Sequence, residues 1–304
     1  MRTLKGKKST WLDVLSPNEE DLKKIKKLGK FHPIILKELL TPSAHTRIDQ
    51  YPDYLFLVVH IPVFDEETRT SRKAEIDLLI TKNLVITVHY EALEQIDTFF
   101  SELAKSSEMS KELLDVESFS LVHAFFERVI HFSIRQLRHI EEKLTLVTQD
   151  VFSKHGDEFL KSIFIIKMDI LDYHLIVHPQ KELFKDLTSI GSDFWGEKSR
   201  AYLRDLQSEN QPIHSNLESF LKIIESLETT NAQLVNTETN IIIRKFTVGA
   251  FLFSFSFFFI FIQSVPFIAR LTLASAWHFW ISFIVVHLFI VVLAFSLKKR
   301  KIFK

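Results

Sequence analysis

The side chains able to do chemistry are few, and their pattern suits ligands and linings better than a catalytic centre. His174 and His178 stand four residues apart on a helical stretch, half of what a zinc site needs, with no third ligand evident. His278 and His287 fall inside a strongly apolar stretch, where an ionisable group is a functional candidate by default. For His287 the plainer expectation is a neutral ring hydrogen-bonded to a serine or backbone group of a neighbouring segment. The acids Glu141, Glu142, Asp150, Asp157, Glu158, Asp169 and Asp172 read as the solvated face of long helices. No Ser/His/Asp, Cys/His or paired-carboxylate arrangement points to an enzyme, and no G-x-G-x-x-G or Walker A pattern exists. The chain has no Cys, which removes disulfides, thiolate chemistry and Cys-type zinc sites. With 38 basic and 38 acidic residues, net charge gives no reason to expect a nucleic-acid partner.

The elements that must position these groups are dominated by two apolar runs. Phe246 to Ile262 is apolar apart from Thr247, Ser254 and Ser256, and after Gln263 and Ser264 the run resumes from Val265 to Ala269. A second run extends from Ala274 to Leu297. Each is long enough to cross a hydrocarbon core of about 30 Å, and the short link Arg270 to Ser275 makes them a hairpin. Arg244 and Lys245 precede the first span and Lys298 to Lys301 follow the second, whereas the link holds only Arg270. By the positive-inside rule both termini are cytoplasmic. The basic segment Met1 to Thr10 lacks an apolar core, so no signal peptide is expected.

Upstream, residues 1–110 read as mixed α and β. Strands are expected at Thr10–Leu15, Tyr54–Phe64, Ala74–Thr81 and Leu84–His89, with helices opening at Ser16 to Glu19 and at His32. Residues 111–192 read as a long antiparallel helical hairpin, turning at Lys154 to Gly156. Residues 197–245 form a stalk helix running into the first span. Its apolar residues Leu206, Ile213, Leu217, Phe220, Ile224, Leu227, Leu234 and Ile241 fall in a heptad rhythm, with Asn210 and Asn231 in skipped positions, which predicts self-association. Pro212 should kink this helix or mark its start. The remaining segments are 246–269 and 274–297, the two transmembrane helices, and 298–304, a basic cytosolic tail.

Four strings, Trp11 to Pro17 (WLDVLSP), His32 to Leu40 (HPIILKELL), Tyr54 to His60 (YLFLVVH) and Lys82 to His89 (KNLVITVH), stand in an order that, with the terminal hairpin and basic tail, resembles the CorA family of magnesium channels. The resemblance covers essentially the whole chain. It implies an α+β cytosolic funnel domain, a long stalk helix and a two-helix transmembrane hairpin, assembled as a homopentamer in the cell (inner) membrane, with membrane lipid and other copies of itself as partners. The first span would line a pore and the second form an outer ring. Asn240 to Thr247 matches the family's pore-mouth segment. The implied pore face is Asn240, Ile243, Phe246, Ala250, Ser254 and Phe257, whose spacing is that of one helical face. Ile243 and Phe246 would form apolar rings able to gate by dewetting.

At the outer mouth the family signature Tyr-Gly-Met-Asn is replaced by Gln263, Ser264, Val265 and Pro266, followed by the matching aromatic Phe267. Pro266 removes both an amide side chain and a backbone N–H. An oxygen ring would be left to backbone carbonyls, the Ser264 hydroxyl and the Gln263 amide, with altered selectivity for a hydrated ion. The resemblance further places Glu38 and Asp205 at positions where relatives share a regulatory Mg²⁺ between subunits. The function implied is a channel or transporter for Mg²⁺ or another divalent cation, gated by the intracellular ion. The alternatives are a non-conducting scaffold or regulatory protein of the same architecture, and a proton-coupled Zn²⁺ transporter.

Overall fold

The computed structural model describes the chain except residues 69, 152–155, 268–269, 271–275 and 300–304; for 276, 293–294 and 296–299 it describes backbone alone. The described residues divide into two compact units, Met1–Glu228 and Thr229–Lys304.

The first unit is built on a six-stranded sheet of order β1-β2-β6-β5-β4-β3. Its strands are β1 (Arg2–Lys5), β2 (Thr10–Leu15), β3 (Arg47–Gln50), β4 (Leu55–Asp65), β5 (Thr70–Ile80) and β6 (Leu84–His89). All pairings are antiparallel except β2 with β6, which is parallel. The central strands are apolar on both faces because both are covered. Along β4, Leu55, Leu57, Val59 and Ile61 enter one core, and Phe56 and Val58 enter the other. The second core is closed by α1 (Glu19–Lys26) and α2 (Pro33–Glu38) through Ile25, Ile35 and Leu36. Asn18 caps α1 with a full capping box, and Pro33 sits in the first turn of α2, so both helices start where the sequence places them.

The first core is closed by α3 (Glu94–Lys105), α4 (Ser107–Leu114), α5 (Ser118–Asp150), α6 (Asp157–Trp195) and the first part of α7 (Glu197–Gln263). The expected turn at Lys154 to Gly156 lies outside the described residues save Gly156. Gly196, at φ 93°, makes the reversal between α6 and α7 in a conformation that side-chain-bearing residues rarely adopt.

Three expectations change here. Leu206, Ile213, Leu217 and Ile224 are wholly buried within one chain, in the same core as α5 and α6 residues. Up to Leu227, then, the heptad seam of the stalk is consumed by its own helical hairpin and does not serve self-association. A helix packed into the groove of two others shows the same repeat as a coiled coil. Pro212 lies inside α7 and does not mark its start. Asp169 is not on a solvated face. It is fully buried, accepting from the Ser71 N–H (2.9 Å) and hydroxyl (3.1 Å), with His139 Nε2 at 3.0 Å and Lys143 Nζ at 2.8 Å. It fastens the helical hairpin to β5, a long-range partnership that helical periodicity does not reveal.

The second unit holds the rest of α7 and α8 (Ala276–Lys299). Among the described residues, α7 is the one helix long and apolar enough to cross a membrane, and Trp277–Val292 in α8 is a shorter apolar stretch. The two helices meet side by side: Phe259 lies 6.3 Å from Phe279 and 6.1 Å from Phe283 between ring centroids, and Ser256 Oγ is 3.1 Å from His287 Nε2. Most of the expected link, residues 271–275, and residues 268–269 and 300–304 of the outer segments, lie outside the described residues.

Candidate functional site

The faces of α7 in the second unit are sharply divided. Leu252, Ser256 and Phe259 are partly covered, and two of them make the contacts to α8 just given. Ala250 and Ser254 stand two residues from Leu252 and Ser256, about 200° round the axis, whereas Phe257 follows Ser256 by one residue, about 100°, and borders a groove with His287. All six expected lining residues, Asn240, Ile243, Phe246, Ala250, Ser254 and Phe257, are exposed on the single chain. Phe246 and Phe257 leave 77% and 73% of their surface open, far more than an apolar ring keeps without a further covering surface.

His287 is settled by its neighbours. Nδ1 is 2.9 Å from the Phe283 carbonyl, which can only accept, so Nδ1 carries the hydrogen. Nε2 lies 3.1 Å from the Ser256 hydroxyl, which can donate to it or accept from it. Both nitrogens are satisfied, and the ring serves to join α8 to α7. His278 sits at an exposed position in the first turn of α8.

At the expected mouth, α7 ends at Gln263. The Ser264 hydroxyl donates to the Phe261 carbonyl (2.6 Å), and the Val265 N–H donates to Ile262 (3.1 Å). Pro266 follows after two intervening residues and, with Phe267, opens a further helical turn, a position proline favours. Several carbonyls of the last turn are therefore engaged locally, while the Ser264 oxygen retains its accepting lone pairs.

In the first unit, Glu38 closes α2 and Asp205 lies on α7, and among the described residues no hydrogen bond or ion pair joins them. Glu38 Oε1 takes a hydrogen bond from Arg47 and one of 2.8 Å from the Ser43 hydroxyl, and Arg47 also holds Asp49 at 2.9 Å. Burial works to raise the Glu38 carboxyl, but the Arg47 and Ser43 bonds and the Arg47 charge hold it below its ordinary value. A cation there meets a carboxylate already served by a guanidinium. Asp205 is more open and lies 3.2 Å from His123 Nε2 on α5.

His174 and His178 stack with ring centroids 4.9 Å apart. The fold brings His214 of α7 into their electrostatic reach, so that burial and the charges of Lys181, His178 and His174 pull it below the usual histidine range. Its Nε2 is engaged by the Asn210 amide at 3.0 Å. Among the described residues these histidines do not close to a common ligating distance. A different trio does: Glu127 and His131 of α5 with Glu209 of α7. Sequence reading missed it because only the first two show helical spacing, and the third comes from a distant helix.

Glu38 also borders a buried acidic pair that sequence reading missed. Glu75 and Asp77 alternate on β5 toward the α2 side. Glu75 takes both its oxygens to the Ser43 N–H (2.7 and 2.8 Å) and lies 3.0 Å from His60 Nε2. Asp77 Oδ2 accepts from the Tyr90 hydroxyl at 2.7 Å. Burial, with the charges of Glu75 and Glu38, pushes Asp77 up to about 8 against the pull of Tyr90.

Comparison with known proteins agrees with this architecture. The cobalt/magnesium transport protein CorA of Thermotoga maritima is 18% identical over 296 residues, spanning 96% of this chain and 83% of that protein. The cobalt/magnesium transport protein CorA of Methanocaldococcus jannaschii is 19% identical over 247 residues, spanning 80% and 75%. Among solved structures, the complete CorA magnesium transporter from M. jannaschii superposes with a TM-score of 0.77 at 15% identity, covering 96% of this chain and 90% of that one. The full-length CmaX protein gives 0.69 at 12% identity, covering 95% and 88%. The fold expected from the sequence, a soluble α+β domain followed by long helices, is thus found in solved relatives. Residues 6–260 match the family described as CorA-like Mg²⁺ transporter protein, and on that match the chain belongs to the CorA-like family of membrane transporters of divalent cations.

Proposed function

We propose that the chain forms a homo-oligomeric, pentameric channel or transporter that passes a divalent cation, Mg²⁺ in the first instance, across the cell (inner) membrane. The observation that carries this reading is the division of α7: the side turned from its contacts with α8 presents Ala250 and Ser254, with Phe257 at its margin, in line with Phe246, Ile243 and Asn240, all exposed on the single chain. Repetition of that face around an axis supplies apolar rings at Ile243, Phe246 and Phe257 and polar rings at Asn240 and Ser254, the alternation a gated hydrated-ion path requires. The mouth is formed by Gln263 to Pro266 from backbone carbonyls, the Ser264 hydroxyl and the Gln263 amide. α7 and α8 both cross the membrane, and both termini lie in the cytoplasm. Cytosolic Mg²⁺ is sensed where Asp205 of one copy meets Glu38 of its neighbour, in competition with Arg47.

The test is saturable Mg²⁺ or Co²⁺ uptake into proteoliposomes containing the assembled oligomer. Absence of flux for Mg²⁺, Zn²⁺, Co²⁺ and Ni²⁺ would overturn the transport reading and leave a scaffold role. Flux that needs a pH gradient would move the assignment to proton-coupled Zn²⁺ transport.

A further inference from the structure

Helices α5 and α7 carry a ladder of facing polar groups. On α5, His123, Glu127 and His131 follow at four-residue steps and share a face; on α7, Asp205 and Glu209 do the same. The first rung is closed by the His123–Asp205 contact at 3.2 Å. The second rung is open. Glu127, His131 and Glu209 each offer one ligand atom, and those atoms lie within 4.8 Å of one another. Glu209 Oε2 is sealed from solvent and has no hydrogen-bond partner. Burial raises the Glu209 carboxyl, and the charges of Glu127 and Asp205 push it the same way, while His131 and His123 oppose them. Two carboxylates so placed, one with a buried unpartnered oxygen, call for a cation or a proton between them.

We propose that Glu127, His131 and Glu209 of a single chain bind a divalent transition-metal ion of the Zn²⁺, Co²⁺ or Ni²⁺ class. The imidazole decides the class. Mg²⁺ favours all-oxygen octahedra and keeps its waters, whereas a nitrogen beside two carboxylates suits the borderline ions. Three protein ligands leave a coordination position open. His131 is exposed, which opens its side of the trio to water, and it also lines a cleft of about 350 Å³ with Glu94 and Arg128. The Arg128 charge is met by Glu102 at 2.9 Å, so it does not guard the cleft alone. The bound ion would pin the stalk to α5 within one subunit, one helical turn beyond Asp205.

The experiment is a Co²⁺ titration of the full chain in detergent micelles, read by visible ligand-field absorption. Four- or five-coordinate Co²⁺ with an imidazole ligand absorbs far more strongly than the six-coordinate hydrated ion, so cobalt elsewhere in a pore contributes little. The expected result is a strong band that saturates at one Co²⁺ per chain and is displaced by Zn²⁺ but not by Mg²⁺. His131→Gln removes the band. Glu209→Gln weakens binding by at least about tenfold, and an unchanged metal-free melting temperature reports that the variant is folded. His174→Gln leaves the band unchanged. A wild-type protein without the band, a band that survives His131→Gln, or one displaced equally by Mg²⁺ would overturn the proposal. Ion flux is no part of the readout, so a failure of the transport reading and a failure of this site are told apart.

Discussion

Asp77 makes the stability of the first unit fall as pH rises across the neutral range. Its side chain is fully buried on β5 beside Glu75, with Oδ2 held by Tyr90 and Oδ1 without a hydrogen-bond partner. Burial and the neighbouring carboxylates lift its pKa to about 8 from an unfolded value of 3.8. Between those limits the folded chain keeps a proton that the unfolded chain has released. Stability is therefore fully present below the unfolded pKa, declines by about 1.4 kcal/mol per pH unit at most, and stops declining above about pH 8. From pH 5 to pH 7 the upper bound is about 2.7 kcal/mol. Asp77→Asn preserves the shape and the acceptor for Tyr90 but cannot ionise. Thermal unfolding of the full-length protein in micelles, wild type against variant at fixed ionic strength, isolates this group from all others that titrate. The variant's advantage should already be present at pH 5 and should grow by several further degrees in melting temperature by pH 8. A difference that stays flat over that range, or an Asn variant less stable at pH 8, would refute the burial argument.

Two further outcomes follow from named contacts. Asp169→Ala strips the acceptor from the Ser71 N–H and hydroxyl and leaves Lys143 and His139 facing a buried void; the expected loss is about 3–5 kcal/mol, measured as a fall in the denaturation midpoint. Ile243→Ser places a hydroxyl in the proposed inner apolar ring and should raise Mg²⁺ or Co²⁺ uptake into proteoliposomes several-fold by favouring a wetted path, whereas Ile242→Ser, on the adjacent face, should leave uptake unchanged; equal effects at both positions would remove Ile243 from the pore face.

What could be read from the sequence depended on the range of the interaction that decides each feature. β2 and β6 form over the spans predicted, because strand patterning is local and their ends are set by turn residues such as Ser16 and Lys82. β5 begins at Thr70, earlier than the expected Ala74, since Ser71 pairs with Phe64 across the hairpin and donates to Asp169, a partner 98 residues away that no local window contains. The α7 repeat was legible as a period, but a period does not name its partner. Leu206 to Leu227 are covered by the same chain, whereas Ile243, Phe246 and Phe257 are not. That contrast relocates the case for assembly. A helix whose apolar residues are satisfied along its first part and bare along its second needs a further covering surface only along the second, and there the bare positions include the face turned away from α8. Phe253, Phe258 and Phe261 are nearly as bare as Phe246 and Phe257, so in the proposed pore lipid and neighbouring copies share that cover, and the copies take the Ala250 and Ser254 side.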